Sequence, residues 1–254
     1  MSGRGRGGTG KRGGKGGAGK GGSAKSGGKG SSLHVSVQRT PTIRLKRKKG
    51  RTNSQQRWLQ RQLNDPFVIE ARRRGLRSRA AFKLMELNER FDLLKPGARV
   101  VDLGAAPGGW SQVSADIVGP KGSIVGIDLL PIDPIEGVVF IEGDFLDPEA
   151  PDHLMRELGG AADLVLSDMA ASSSGHAGTD HLKIIALAET AFHFAITVLT
   201  PGGAFVAKVL QGGTEQGLRT LLQKHFTKVV HAKPEASRKE SAEQYVVAIG
   251  FRVV

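Results

Sequence analysis

No cysteine occurs anywhere in the 254 residues. That absence excludes disulfide bridges, thiolate-ligated zinc or iron–sulfur centres, and every mechanism that needs a thiol nucleophile. No acid occurs in residues 1 to 51, which carry 15 of the 37 lysines and arginines. Subtracting those 15 from the formal charge of +13 leaves −2 for residues 52 to 254, so the basic character belongs to the first segment. No uninterrupted apolar run reaches the ~18 residues of a membrane helix, and on that criterion the sequence predicts no span. The first residues lack the apolar core of a secretory signal, and they are mostly glycine where a transit peptide would be amphipathic. The expectation is a cytoplasmic protein.

What is present suits one sizeable domain with an appendage, since 39% of the residues are hydrophobic and can build a core. Residues 1 to 52 read as glycine, lysine, arginine and serine with almost nothing to bury, as in "GKRGGKGGAGKGG" and "RLKRKKGR". Such a segment cannot offset its ordering entropy and is expected to be a disordered tail, followed by a folded domain over 53–254. The tail reads equally as a flexible cation for polyanionic RNA or as a solubilising extension.

Asp65-Pro66 suits a capped helix start and Gly75 its stop, with Ser78 placed to cap a second helix. Seven arginines between 57 and 79 face two acids, Asp65 and Glu70, which predicts a basic surface or a solvated helix face. From there strands near 98–103, 123–128, 138–141, 162–168, 203–210, 227–231 and 244–252 alternate with helices near 110–118, 148–158, 180–199 and 214–225. Near-continuous apolar strands such as "ADLVLSD" between helices imply a parallel sheet covered on both faces. The last two strands have no helix between them and can pair antiparallel.

The stretch "VVDLGAAPGGW" ends the first strand in a glycine-rich turn. A dinucleotide site needs G-x-G-x-x-G with pyrophosphate at a helix N-terminus. Here Gly104 is followed by Ala105 and Ala106, so the second glycine is missing, and Asp102 brings negative charge where phosphate would sit. A ligand with a cationic amino-acid end fits better, and S-adenosyl-L-methionine is the common one. Acids close the next strands too. Asp128 lies about 20 residues beyond the loop, where an acid accepts from ribose hydroxyls, Asp144 could meet an adenine amino group, and Asp168 ends the fourth strand. Trp110 is either a packed core indole or an edge of the ligand pocket.

The methyl acceptor narrows by exclusion. Without cysteine there is no covalent pyrimidine methylation, and Asp168 is followed by Met169, Ala170 and Ala171 where amino-group methylation expects two prolines and an aromatic. Oxygen or a small-molecule nitrogen remains. Lys208 in "FVAKVL" stands in an apolar strand, either facing the crevice or snorkelling to water. Lys83 and Glu243 are unremarkable taken singly. A non-catalytic RNA-binding or ribosome-assembly module competes with the enzyme, and a small-molecule O-methyltransferase is a weaker third reading.

Residues 65 to 252 closely resemble the FtsJ family of S-adenosylmethionine-dependent large-subunit ribosomal RNA 2'-O-methyltransferases, through "GLRSRAAFKL", "VVDLGAAPGGWSQ", "GIDLLPIDPIEGV", "LSDMA", "PGGAFVAKVLQG" and "KPEASRKESAEQYVVA". The resemblance implies a class I, Rossmann-like α/β methyltransferase fold with a mostly parallel seven-stranded sheet. It implies a catalytic tetrad of Lys83, Asp168, Lys208 and Glu243, with Lys208 as the base that takes the ribose 2'-hydroxyl proton. Donor contacts would fall on Gly108, Trp110, Asp128, Asp144 and Asp168, with no metal. It also implies a uridine of large-subunit ribosomal RNA as substrate, within an assembled 50S particle, and a contribution to ribosome assembly; a monomer is the simplest expectation for the chain. RNA binding would use Arg72, Arg73, Arg74, Arg77 and Arg79. The chain departs from the family pattern at Ala171, where a proline is usual.

Overall fold

β1 (Arg99–Leu103) is buried on both alternating faces from Val100 onward, and such a strand has to be covered above and below. In the computed structural model, which describes residues 43–45, 50, 52–172, 174–212 and 215–253, it lies third in a seven-stranded sheet. β2 (Ser123–Asp128) and β4 (Ala162–Ser167) flank it in parallel, β3 (Val138–Glu142) lies outside β2, and β5 (Leu199–Leu210) lies outside β4. β7 (Glu243–Phe251) pairs antiparallel with β5, and β6 (Phe226–Ala232) antiparallel with β7. The order is β3-β2-β1-β4-β5-β7-β6, so the chain reverses its direction of travel between β1 and β4, which is where ligands bind in open parallel sheets. Of the tail expected over residues 1 to 52, residues 1–42, 46–49 and 51 lie outside the described residues.

Side-chain parity divides the core into two layers. Val100, Leu164, Leu166, Val206, Tyr245 and Val247 point to the face covered by α3 (Ala80–Phe91) and α4 (Gly109–Val118). Val101, Leu103, Val165, Phe205, Ala207 and Val246 point to the other, under α5 (Ala150–Leu158), α6 (Ala177–Val198) and α7 (Glu215–His225). Each fully buried aliphatic side chain contributes roughly 1.5–3 kcal/mol. α1 (Asn53–Leu63) and α2 (Pro66–Arg73) precede this core.

Several boundaries follow the local rules. Asp65 caps α2 by accepting from the Phe67 amide, with Pro66 in the first turn, and Gly75 follows the helix at φ 70°. The structure corrects others. Ser78 does not cap α3, which starts at Ala80 with Arg79 in the cap position and no side-chain bond; the Ser78 hydroxyl is instead buried against Gly109 of α4. β5 runs through "TPGG", because Leu199 pairs with Ala162 and a register shift absorbs the turn residues. α1 adds a helix that the sequence pattern does not announce, its apolar residues being only Trp58, Leu59 and Leu63, and Thr52 and Gln55 close a reciprocal capping box at its start. α6, at 22 residues, is long and apolar enough by length and composition to cross a membrane. It packs Ile185, Ala188, Ala191, Phe192 and Ala195 into the core, as a central helix of an α/β sheet does.

Candidate active site

Lys208 and Tyr245 are cross-strand partners between β5 and β7. They share the face covered by α3, because Val206 and Val247 of the same parity pack there. Asp168 follows β4 on that face, Lys83 descends from α3 with its side chain only 11% exposed, and Glu243 begins β7. Four elements distant in sequence thus deliver ionisable groups to one spot.

These groups form a continuous line. Lys208 Nζ donates to the Asp168 backbone carbonyl at 2.6 Å and lies 3.1 Å from Asp168 Oδ1. Tyr245 Oη donates to the same Oδ1 at 2.8 Å and accepts from Lys83 Nζ at 3.1 Å. Lys83 Nζ is 2.6 Å from Glu243 Oε1, which also accepts from the Ser237 hydroxyl at 2.9 Å. Two lysine side chains therefore face two carboxylates, and each buried acid of the line has a basic partner, as buried ionisable groups require. Burial first, and then the charges of Asp168 and Glu243, push the Tyr245 phenol well above its usual range. Tyr245 stays neutral and works as a hydrogen-bond bridge. Sequence reasoning brought together Lys83, Asp168, Lys208 and Glu243 but missed Tyr245, whose signal was its position two residues after the glutamate, on the same side of the strand.

An outer set of contacts anchors this line. Glu86 of α3 accepts from the Glu235 and Ala236 amides at 2.5 and 3.0 Å, which ties the β6–β7 loop, and with it Ser237, to the helix carrying Lys83. Asp65 pairs with Arg79 at 2.8 Å and with Arg238 at 3.4 Å.

Beside the tetrad lies a cleft of about 470 Å³ over the carboxyl ends of β1, β2 and β4, with Gly104, Asp128, Asp144 and residues 169 to 172 in its wall. Ile127, Leu129, Phe145 and Leu146 give it apolar sides. Both Asp128 oxygens are held by backbone amides, Oδ2 by Ala106 at 3.0 Å and Oδ1 by Leu130 at 2.9 Å, which leaves further lone pairs to accept from a ligand hydroxyl. Asp144 Oδ1 accepts from the Leu146 amide at 2.9 Å. Gly108 stands at the cap of α4 with φ 96°. Trp110 is a packed indole: it is buried, donates to the Ala80 carbonyl at 2.8 Å and lies 5.4 Å from the Tyr245 ring.

Asp102 is corrected. Its parity turns it away from the cleft toward α4, fully buried, with Oδ2 accepting from Ser111 at 2.6 Å and Oδ1 without a partner among the described residues. Burial pushes its carboxyl up to about 7, against the Ser111 hydrogen bond and with help from the charges of Asp168 and Asp128. A carboxyl raised on folding stabilises fully below its unfolded value near 3.8, and that stability is lost as pH rises to about 7. Asp102→Asn removes the titration. The stability difference between the variant and the parent is expected to move in the variant's favour by up to ~1.4 kcal/mol per pH unit between pH 5 and 7, and to level off above. Thermal melts across pH 5 to 8 check this, and parallel curves would refute it.

The basic surface is partly committed within the fold. Arg73 and Arg74 both bond Glu70, holding its carboxyl down to about 2. Arg79 is spent on Asp65 and the Ala236 carbonyl, and Arg77 on main-chain carbonyls, while Arg72 is exposed.

The FtsJ-like methyltransferase family matches residues 76–251. A protein named ribosomal RNA large subunit methyltransferase E from Paramagnetospirillum magneticum is 61% identical over 219 residues, covering 84% of this chain and 90% of that one. A protein of the same name from Xanthobacter autotrophicus is 60% identical over 213 residues, covering 83% and 84%. Among solved structures, a Plasmodium falciparum protein described as a ribosomal RNA methyltransferase superposes with a TM-score of 0.61 at 32% identity, covering 69% of this chain and 98% of that one.

Proposed function

The chain belongs to the FtsJ-like methyltransferase family, and from that premise we propose that it methylates the 2'-oxygen of a ribose in large-subunit ribosomal RNA, in a uridine, using S-adenosyl-L-methionine. The observation that carries this reading is the line from Lys208 through Asp168, Tyr245 and Lys83 to Glu243, set beside a cleft lined with acids. The names of the curated relatives support the RNA substrate.

The residues suit the donor. Asp128 and Asp144 offer acceptors for sugar hydroxyls and an amino group, the apolar walls suit a flat base, and the two acids against the single lysine of the lining, Lys183, favour a ligand with positive charge. Gly108, Asp128, Asp144 and Asp168 would hold it, and Trp110, buried between Ala80 and the Tyr245 ring, would act only through packing. When bound, S-adenosylmethionine supplies an electrophilic methyl group on a sulfonium.

Lys208, acting as the free amine, takes the 2'-hydroxyl proton as that oxygen bonds the methyl carbon and the methyl–sulfur bond breaks, so that the lysine ends as an ammonium beside Asp168 and the donor leaves as a neutral thioether. Asp168 holds the Lys208 amine through two contacts and so aims it. Lys83, fixed by Glu243 and Tyr245, presents a second cation that orients the hydroxyl and favours the developing oxyanion. Alignment of two bound reactants accounts for ~7–11 kcal/mol of the barrier. No step requires a metal.

In this reading residues 53–254 form the catalytic domain, the basic tail adds phosphate contacts, and a monomer acts in the cytoplasm on an assembled 50S particle, contributing to ribosome assembly. The test is transfer of tritiated methyl from the donor to free large-subunit RNA and to 50S particles from cells lacking the protein, followed by mapping. Label on one uridine 2'-oxygen is expected, with particles preferred. Label on a base, or none on either substrate, overturns the proposal.

A further inference from the structure

Arg77 lies between α2 and α3, half-buried, among arginines whose sequence suggests phosphate binding. Its guanidinium is already engaged. Nη1 donates to the Asp133 carbonyl at 2.5 Å and to the Pro107 carbonyl at 3.4 Å, and Nη2 donates to the Pro134 carbonyl at 2.6 Å. Three of the five guanidinium N–H donors are thus spent on main chain. The acceptors belong to two separate loops, the glycine loop after β1 and the loop after β2.

Those two loops also supply the amides that hold Asp128, from Ala106 on one side and Leu130 on the other. The segment carrying Arg77 is itself fastened to α4: the Arg77 amide donates to Gln112 Oε1 at 3.0 Å, and Gln112 Nε2 donates to the Gly75 carbonyl at 3.0 Å. The guanidinium also roofs Gly108. A Cβ on that glycine would meet Arg77 Cδ and Nη1 at 3.1 Å.

We propose that Arg77 is a positioning residue of the donor pocket: it ties the glycine loop to the β2–β3 loop and so sets the Asp128 carboxylate where a donor hydroxyl is received. The inference rests on the reading of the cleft as the donor site. It takes Arg77 out of the RNA-binding set. A planar fork can reach carbonyls on two loops at once, whereas a lysine ammonium on a flexible stem cannot reproduce that geometry.

The test compares Arg77→Gln and Arg77→Lys with the parent protein. Binding of S-adenosylhomocysteine is measured by calorimetry, and binding of a large-subunit ribosomal RNA transcript across a salt series. Amide hydrogen exchange is followed at Ala106 and Leu130. The glutamine variant is expected to lose on the order of tenfold in S-adenosylhomocysteine affinity and the lysine variant less, as for loss of charged hydrogen bonds. Exchange at Ala106 and Leu130 should quicken in both, while RNA affinity and its salt slope hold. Unchanged S-adenosylhomocysteine affinity and exchange would overturn the proposal. So would weaker RNA binding with a salt slope shallower by about one and donor-site affinity intact, the pattern of a phosphate contact. If the glutamine variant does not fold, the lysine variant decides by the same readouts. A parent protein that fails to bind S-adenosylhomocysteine would defeat the reading of the cleft, and exchange at the two amides would still report whether Arg77 ties the loops.

Discussion

Lys208→Ala is expected to retain donor binding and to lose methyl transfer by ~100-fold or more, as for removal of a positioned base. The side chain is 9% exposed and contacts Asp168 twice, so its loss removes the only amine paired directly with that acid among the described ion pairs. Lys83 does not take over as the base, because its amine is engaged by Glu243 at 2.6 Å and by Tyr245 at 3.1 Å. Lys208→Arg sharpens the experiment. Arginine keeps the charge but does not deprotonate in proteins, so it should be nearly as inactive as alanine if Lys208 is the base, and substantially active if Lys208 supplies only positive potential. Tritium transfer and calorimetry with S-adenosylhomocysteine read the two quantities separately. Turnover of the alanine variant within tenfold of the parent would remove Lys208 from the mechanism.

Gly104→Ala should damage fold and site together. Gly104 has φ 75°, and a Cβ there would stand 2.8 Å from Met169 Cγ and 2.9 Å from Met169 Cα and N. Two of those atoms are main chain and cannot swing aside. The residue that must yield follows Asp168 directly and forms part of the cleft wall, so relief of the clash displaces the acid that aims Lys208. Strain of this kind costs on the order of 1–3 kcal/mol, a melting shift of several degrees for a domain of this size, and a larger fractional loss of turnover. Gly159→Ala is the control. It has nearly the same φ, 73°, with nothing within 4 Å of the added methyl, so it should show backbone strain with activity preserved. Equal activity in the two variants would mean that the Gly104–Met169 contact does not matter to the site.

Much of this architecture is legible in the chain. The apolar runs of β1, β2 and β4 announce a sheet covered on both faces, and six of seven strands lie within about two residues of where alternation and turn residues put them. β5 is the exception, since turn chemistry is overridden once a strand finds a partner for its first residues. α1 was missed because its apolar face is sparse, and its capping box was the one signal available. The tetrad was legible only through long motifs; each of its residues alone was ordinary.

The sequence by itself determined the periodicities, the caps and the absence of any thiol chemistry, because these depend on residues within a few positions of one another. The tertiary structure alone decided which polar groups are spent and which are offered. Lys83 and Tyr245 are 162 residues apart and share a hydrogen bond, and Arg77 reaches a carbonyl 57 residues away. Asp102 faces α4 and not the cleft because strand parity sends alternate side chains to opposite faces of the sheet. A charge can be counted in a sequence, but its partner is chosen by register and packing, and the partner sets whether it binds a ligand, moves a proton or braces a loop.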